Sequence, residues 1–236
     1  VADLTVDGTM CTGGAVCVMM LMSGHNIWVS MLAATGAGML AGLATGIFHT
    51  FMGIPAILAG ILTQLGLCSA NLKIMGKANQ AVNGNKYNLL VSLRNVKGVP
   101  FYQNTILIVA IFIVVLIAIL YWFFGTELGA SIRATGCNEQ MARAQGINTG
   151  FNKVLALMIS NGLVGLCGGI YAQYQGAADV NMGRGAIVIG LAAVIISEVI
   201  FGKFCAHRKA AFAFTLGAVF IGAILYYLVI ALVLWL

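Results

Sequence analysis

The sequence predicts an all-α protein, a polytopic bundle of apolar helices that cross a membrane several times. Three observations carry that prediction. Of the 236 residues, 61% are hydrophobic and 8% are charged, against about 25% charged in an ordinary soluble domain. Uncharged runs at 8–72, 98–126, 154–178 and 210–236 each exceed the roughly 18 to 20 apolar residues that span a bilayer. The runs are apolar on every face and lack the polar–apolar alternation of an outer-membrane strand, which excludes a β-barrel.

About seven membrane segments are expected, some short or re-entrant, within one domain covering 1–236. The first, 9–23, follows an acidic start where Asp3 and Asp7 flank Thr5. Carboxylates suit that position because they meet the positive end of the helix dipole. Helix 27–50 follows Gly24, His25 and Asn26, and helix 55–71 opens on Pro55, whose missing N–H costs nothing in a first turn. Residues 73–103 form the longest connection, after which helix 104–124 leads to a polar stretch at 125–153 and on to helix 154–175. Helix 186–201 is short for a full span and carries Ser197 and Glu198 near its end, which predicts a half-helix or re-entrant element. Helix 211–236 comes last. Gly38, Gly42 and Gly46 recur at helical spacing, as do Gly165 and Gly169. Flat glycine faces of this kind predict close helix packing in preference to a pore lining.

Several functions are excluded by what the chain lacks. Its six cysteines form no CxxC pair and read as small core residues. His25, His49 and His207 have no ligand-like spacing, so no metal site is expected. Gly76-Lys77 and Gly202-Lys203 lack the glycine loop and the following hydroxyl of a Walker A sequence. No HExxH, no GxSxG and no carboxylate pair placed for acid–base work occurs, so no catalytic residue is assigned and the chain is not read as an enzyme. Nucleic acid is not expected as a partner. An ion-coupled transporter usually carries an ionisable group at mid-membrane. Glu198 is the best candidate for such a group, as a gate or interface residue, and its neighbour Lys203 offers an interfacial ion pair instead. Asp179 and Arg184 predict a surface pair across a short loop.

The stretch 125–153 carries five of the eighteen charged residues. Gly136 and Gly146 are expected to stop one short helix at 138–145, with Asn138 as its N-cap. Met141, Ala142 and Ala144 offer a small apolar contact, and Glu139, Arg143 and Gln145 supply charge and hydrogen bonds. Such a surface suits a modest, wet contact with a soluble partner; the competing reading is a solvated surface helix. If the helices alternate, each face of the membrane carries six cations, so the positive-inside rule does not orient the chain.

The order of residues in this loop is more specific than its charge. The run from Ser131 to Asn148 contains Arg133, Ala134, Gly136, Asn138, Ala142, Gly146, Ile147 and Asn148 in the pattern RAxGxNxxxAxxxGIN. It closely resembles the cytoplasmic loop of ABC importer permeases of the branched-chain amino acid and ribose family. Residues 3–8 and 190–202 resemble the subgroup linked with tryptophan- or tyrosine-type binding lipoproteins, and with the connecting helices the resemblance covers nearly the whole chain. Cys137 and Ser197 depart from the more usual residues at their positions.

The resemblance implies a fold like that of a type II ABC importer and a multi-pass place in a bacterial cytoplasmic membrane. It makes 125–153 the cytoplasmic coupling loop that docks on an ATPase subunit, through Arg133, Gly136, Asn138, Glu139, Met141, Arg143, Gly146 and Asn148. ATP and Mg would sit on that partner, with no cofactor in this chain. An extracytoplasmic substrate-binding lipoprotein, a second permease chain forming a homodimer, and membrane lipid complete the expected partners. Candidate solute-path residues are Thr5, Asp7 and Thr9 near the first helix and Asn161, Gln173 and Gln175 on the fifth. For Asn161 the competing role is an interhelical hydrogen bond. The expected solute is an amino acid, plausibly aromatic; the alternatives are a sugar or nucleoside importer and an ion-coupled secondary transporter. The resemblance also implies a helix before Asp3 and further chain after the last apolar run, in keeping with a sequence that opens on Val1 and stops at Leu236 inside an apolar run; no cleavable signal is expected, because the start has no basic region.

Overall fold

The computed structural model describes residues 3–82, 105–205 and 211–235. Among them are α1 (Val6–Met22), α2 (Ile27–Thr50), α3 (Ala56–Met75), β1 (Asn79–Ala81), α4 (Thr105–Gly125), α5 (Glu127–Cys137), α6 (Glu139–Ala144), α7 (Thr149–Gln175), β2 (Ala177–Asp179), α8 (Ala186–Cys205) and α9 (Ala211–Trp235). Most of the long 73–103 connection and His207 lie outside the described residues, as does the side chain of Lys203 and with it the expected Glu198–Lys203 pair. Helices α2, α3, α4, α7 and α9 are long and apolar enough to cross a membrane, and α1 and α8 are apolar too. This is a multi-pass membrane protein.

Local chemistry explains the boundaries. Asp3 Oδ1 accepts from the Thr5 N–H at 2.9 Å, which fixes the entry to α1 and lets it start at Val6, earlier than the expected residue 9. Pro55 precedes the first turn of α3, and Gly76 ends that helix with φ +67°, a conformation in which a Cβ is strained. The chain runs through Gly202 without a break, so α8 has 20 residues. At 1.5 Å per residue this is about 30 Å, a full-span length and longer than the half-helix expected. Glycine is tolerated inside membrane helices because neighbouring groups re-satisfy the backbone.

Contacts gather into two compact units, 1–110 with 129–184, and 111–128 with 185–236. In the first, α7 packs on α1 and α2, and α1 also packs on α2 and α3. A Cβ on Gly38 would strike the Asn161 carbonyl, one on Gly42 the Leu157 carbonyl, and one on Gly13 the Gly165 backbone. The glycine stripe of α2 therefore lies on α7, backbone against backbone, which is the packing role expected of it. Cys11, Ala15, Val18, Ala172 and Ala178 form part of a core of small side chains. Leu32, Leu40 and Leu65 point outward, as suits helices bathed in lipid.

A short ribbon, not foreseen from the sequence, closes one end of this unit. Strand β1 pairs antiparallel with β2, Gln80 opposite Ala178, and Cys11 Sγ donates to the Asp179 carbonyl at 3.3 Å. The Asp179 carboxylate accepts from the Asn181 N–H at 2.6 Å, and the ion pair expected with Arg184 is not among those of the described residues. In the second unit α8 packs on α9, where Gly222 meets the Ala193 carbonyl and the buried Ser197.

Candidate functional site

The polar loop folds into two helices where one was expected. Helix α5 occupies 127–137, so Gly136 lies inside its last turn and is not a helix stop. The turn between α5 and α6 is made by Asn138, extended at φ −152° and ψ 104°, whose Oδ1 accepts from the Met141 N–H at 3.1 Å. This is the N-cap the sequence predicted. Gly146, at φ +80°, is the stop at the other end. Its N–H donates to the Arg143 carbonyl at 2.9 Å, and the Ile147 N–H donates to the Ala142 carbonyl at 3.0 Å. That pair of bonds is the Schellman arrangement, which needs a left-handed residue at the glycine's position. Asn148 then caps α7, its Oδ1 accepting from the Phe151 N–H at 3.1 Å, which moves the start of α7 from the expected 154 to Thr149.

Four polar groups join α6 to the first turn of α7. Glu139 Oε2 accepts from Lys153 Nζ at 2.7 Å, and Oε1 accepts from Arg143 at 2.8 Å. Arg143 Nε donates to Thr149 Oγ1 at 2.9 Å, and Thr149 Oγ1 lies 3.4 Å from Glu139 Oε1. Lys153, bonded to the carboxylate, holds Glu139 below the usual carboxylate range, and Arg143 acts in the same direction. Next to this cluster Asn152 Nδ2 donates to Ser131 Oγ at 2.6 Å and Thr135 Oγ1 at 3.0 Å on α5. Both helices of the loop are thus tied to α7. Exposed side chains of the loop include Met141, 60% exposed, Leu128, Gln140 and Cys137.

Behind the cluster lies a half-open cavity of about 450 Å³. Ile132, Thr135 and Gly136 of α5, Glu139, and the α7 face from Asn152 to Ser160 line it, together with Asp3.

Asp3 belongs to a second polar cluster. Asn161 Nδ2 donates to Asp3 Oδ2 at 2.6 Å and to the Leu157 carbonyl at 3.0 Å, while its Oδ1 lies 2.7 Å from the Thr9 hydroxyl. Thr5 Oγ1 is 2.8 Å from Thr45 Oγ1, which donates to Thr63 Oγ1 at 3.0 Å, and Thr63 donates to the Ala59 carbonyl. Thr5, Thr9 and Asn161, three of the expected path residues, therefore meet in one buried network linking α1, α2, α3 and α7. The bonds described for Gln173 and Gln175 lead elsewhere. Gln173 is buried against Cys17, with Nε2 3.3 Å from its Sγ. Gln175 is exposed and bonds Tyr171, and Asp7 lies in the first turn of α1. Glu198 is exposed in the second unit.

Sequence reasoning missed Thr45, Thr63, Thr149, Asn152 and Lys153 as site residues. Only Lys153 and Thr149 carried a signal, by lying just past the GIN tripeptide at the start of an apolar helix.

The whole chain, residues 1–236, matches a family model described as "Branched-chain amino acid transport system / permease component". The chain belongs to this permease family. Among its relatives is the tyrosine transport system permease protein of Clostridioides difficile, 39% identical over 86% of this chain and 65% of that protein. The fructose import permease protein of Bifidobacterium longum is 28% identical over 94% of this chain and 61% of that protein. The galactofuranose transporter permease protein of Escherichia coli is 29% identical over 76% of this chain and 50% of that protein. This permease chain thus spans between about half and two thirds of the length of these relatives. No solved structure matches it.

Proposed function

We propose that this permease is a membrane subunit of an ATP-driven, binding-protein-dependent importer in a bacterial cytoplasmic membrane. Its solute is an amino acid, with an aromatic amino acid the first candidate. The observation that carries the reading is α6: a six-residue helix, capped at both ends and anchored to α7 on one side, with Met141 turned outward on the other. An exposed methionine on a rigid, polar-rimmed helix outside the spans suits docking on a soluble subunit. That subunit is an ATPase, which binds ATP and Mg and supplies the work. A second permease chain completes the solute path, and an extracytoplasmic lipoprotein delivers the solute.

The amino acid assignment is supported by the relative named for tyrosine transport, at 39% identity. Sugar transport is supported by the fructose and galactofuranose permeases at lower identity.

The test is uptake in vesicles that hold the full-length permease, its ATPase subunit and its binding protein. Radiolabelled tyrosine, leucine, fructose and ribose are compared with and without ATP. ATP-dependent accumulation of tyrosine supports the reading, and accumulation of fructose alone reassigns the solute. Uptake driven by an ion gradient without the ATPase subunit sinks the importer reading.

A further inference from the structure

We propose that the Glu139–Lys153 ion pair is the joint through which α6 moves α7, so that both residues are positioning residues for energy coupling and not part of the docking face. The proposal rests on the docking reading of α6 given above.

Geometry separates the two roles. Glu139 sits at the first position of α6, yet its carboxylate turns back from the exposed side of that helix to Lys153 Nζ at 2.7 Å. Lys153 belongs to α7, and its side chain is only 22% exposed. An exposed ion pair alone contributes little. Here Arg143 and Thr149 close a ring around the same carboxylate, with contacts of 2.8 and 3.4 Å, and a ring of this kind resists sliding in a way that one bond does not.

The cavity supplies the second observation. From Ala156 to Ser160 the face of α7 is separated from α5 by a cavity of about 450 Å³, with Ile132, Thr135 and Gly136 on its far side. The loop helices are therefore held at the first turn of α7 and are not packed along its length. A push on α6 reaches α7 through the clamp, and the space beside α7 leaves room for it to tilt. Eight residues beyond Lys153, about 12 Å along the helix, Asn161 bonds both Asp3 and Thr9 at the entry to α1. A displacement that starts at α6 thus reaches the start of α1 through the body of α7, with a polar contact at each end.

The experiment compares Glu139→Gln, Lys153→Met, the double variant and Lys153→Arg in the complete reconstituted transporter. Two quantities are read: ATPase subunit retained on purification, and solute imported per ATP hydrolysed. Each neutral variant should retain the ATPase subunit and lose roughly tenfold in solute per ATP. The double variant should lose no more than either single one, and Lys153→Arg should keep most of the wild-type ratio. An unchanged ratio in the neutral variants, or losses that add in the double variant, overturns the proposal. Loss of the ATPase subunit from Glu139→Gln also overturns it, because Glu139 then belongs to the docking face. Met141→Asp serves as the control for the docking reading itself. If that variant keeps the ATPase subunit, the docking reading fails, independently of the clamp result.

Discussion

Asn161 on α7 donates to the carboxylate of Asp3 at 2.6 Å, across 158 positions of sequence. With Thr9 on its other amide atom, Asn161 joins the entry of the first helix to the middle of the seventh. Each also has a backbone partner, Asp3 and Thr9 at Thr5 and Asn161 at the Leu157 carbonyl, so Asn161 is the one side chain that ties the other two together.

Asn161→Leu keeps the volume and removes the partners. Asp3 and Thr9 lose their bonds to this side chain, each worth about 0.5–3 kcal/mol, and keep those to Thr5. The expected result is a clear fall in Tm of the detergent-purified permease, seen before any solute is added. An unchanged Tm together with lost uptake would mean that Asn161 serves the solute and not the fold.

Gly146→Ala places a Cβ at φ +80°, which costs about 1–2 kcal/mol in the left-handed region. Asn138→Ala removes the N-cap of α6, worth about 1 kcal/mol. Both substitutions should reduce the ATPase subunit recovered with the permease while leaving its membrane insertion intact. Pull-down of the ATPase subunit measures this, and full recovery in both variants argues against a preformed docking helix.

Gly13→Leu drives a side chain into the backbone of Gly165, and Gly42→Leu drives one into Leu157. Neither neighbour is a flexible side-chain end, so the helices must part. Accumulation of folded permease in the membrane should fall severely for both. Gly36→Leu, with open space around its Cβ position, should be tolerated, and a monodispersity profile on gel filtration distinguishes them.

The lowered Glu139 carboxyl fixes the sign of a pH effect. A depressed carboxylate contributes fully above its ordinary value of about 4.3 and loses that contribution as pH falls through the lowered one. Solute imported per ATP should therefore stay level as the pH on the α6 side is varied across about pH 6–8. A midpoint inside that window would assign the coupling change to another group.

The parts legible in the sequence are those with short-range chemistry. Gly146 and Asn138 announced the ends of α6 because a left-handed stop and an N-cap each need particular residue types within a few positions. The apolar runs announced the spans for the same reason. Gly136 misled, since a glycine in a helix looks the same in sequence as a glycine after one, and α5 contains two, Gly129 and Gly136. The start of α7 was placed late because apolar residues were counted and the Asn148 cap was not. An interhelical hydrogen bond at Asn161 is legible as a role, but its partners Asp3 and Thr9, and the pairing of Thr5 with Thr45, have no signature, because partners so distant are chosen by helix packing and not by spacing.

The glycine seam between α7 and its neighbours α1 and α2 has a mechanical meaning. Where Gly13 meets Gly165, and Gly38 meets Asn161, main chain lies on main chain, and a surface without side chains has no rotamers to exchange. Those three helices cannot yield by small rearrangements at their contact; they keep their relation or separate altogether. Within this unit, compliance is left to places where side chains or space intervene, at the hollow beside Ala156 and at the ring around Glu139. The stiffness of the seam is what would let a nudge at one end arrive at the other undiminished.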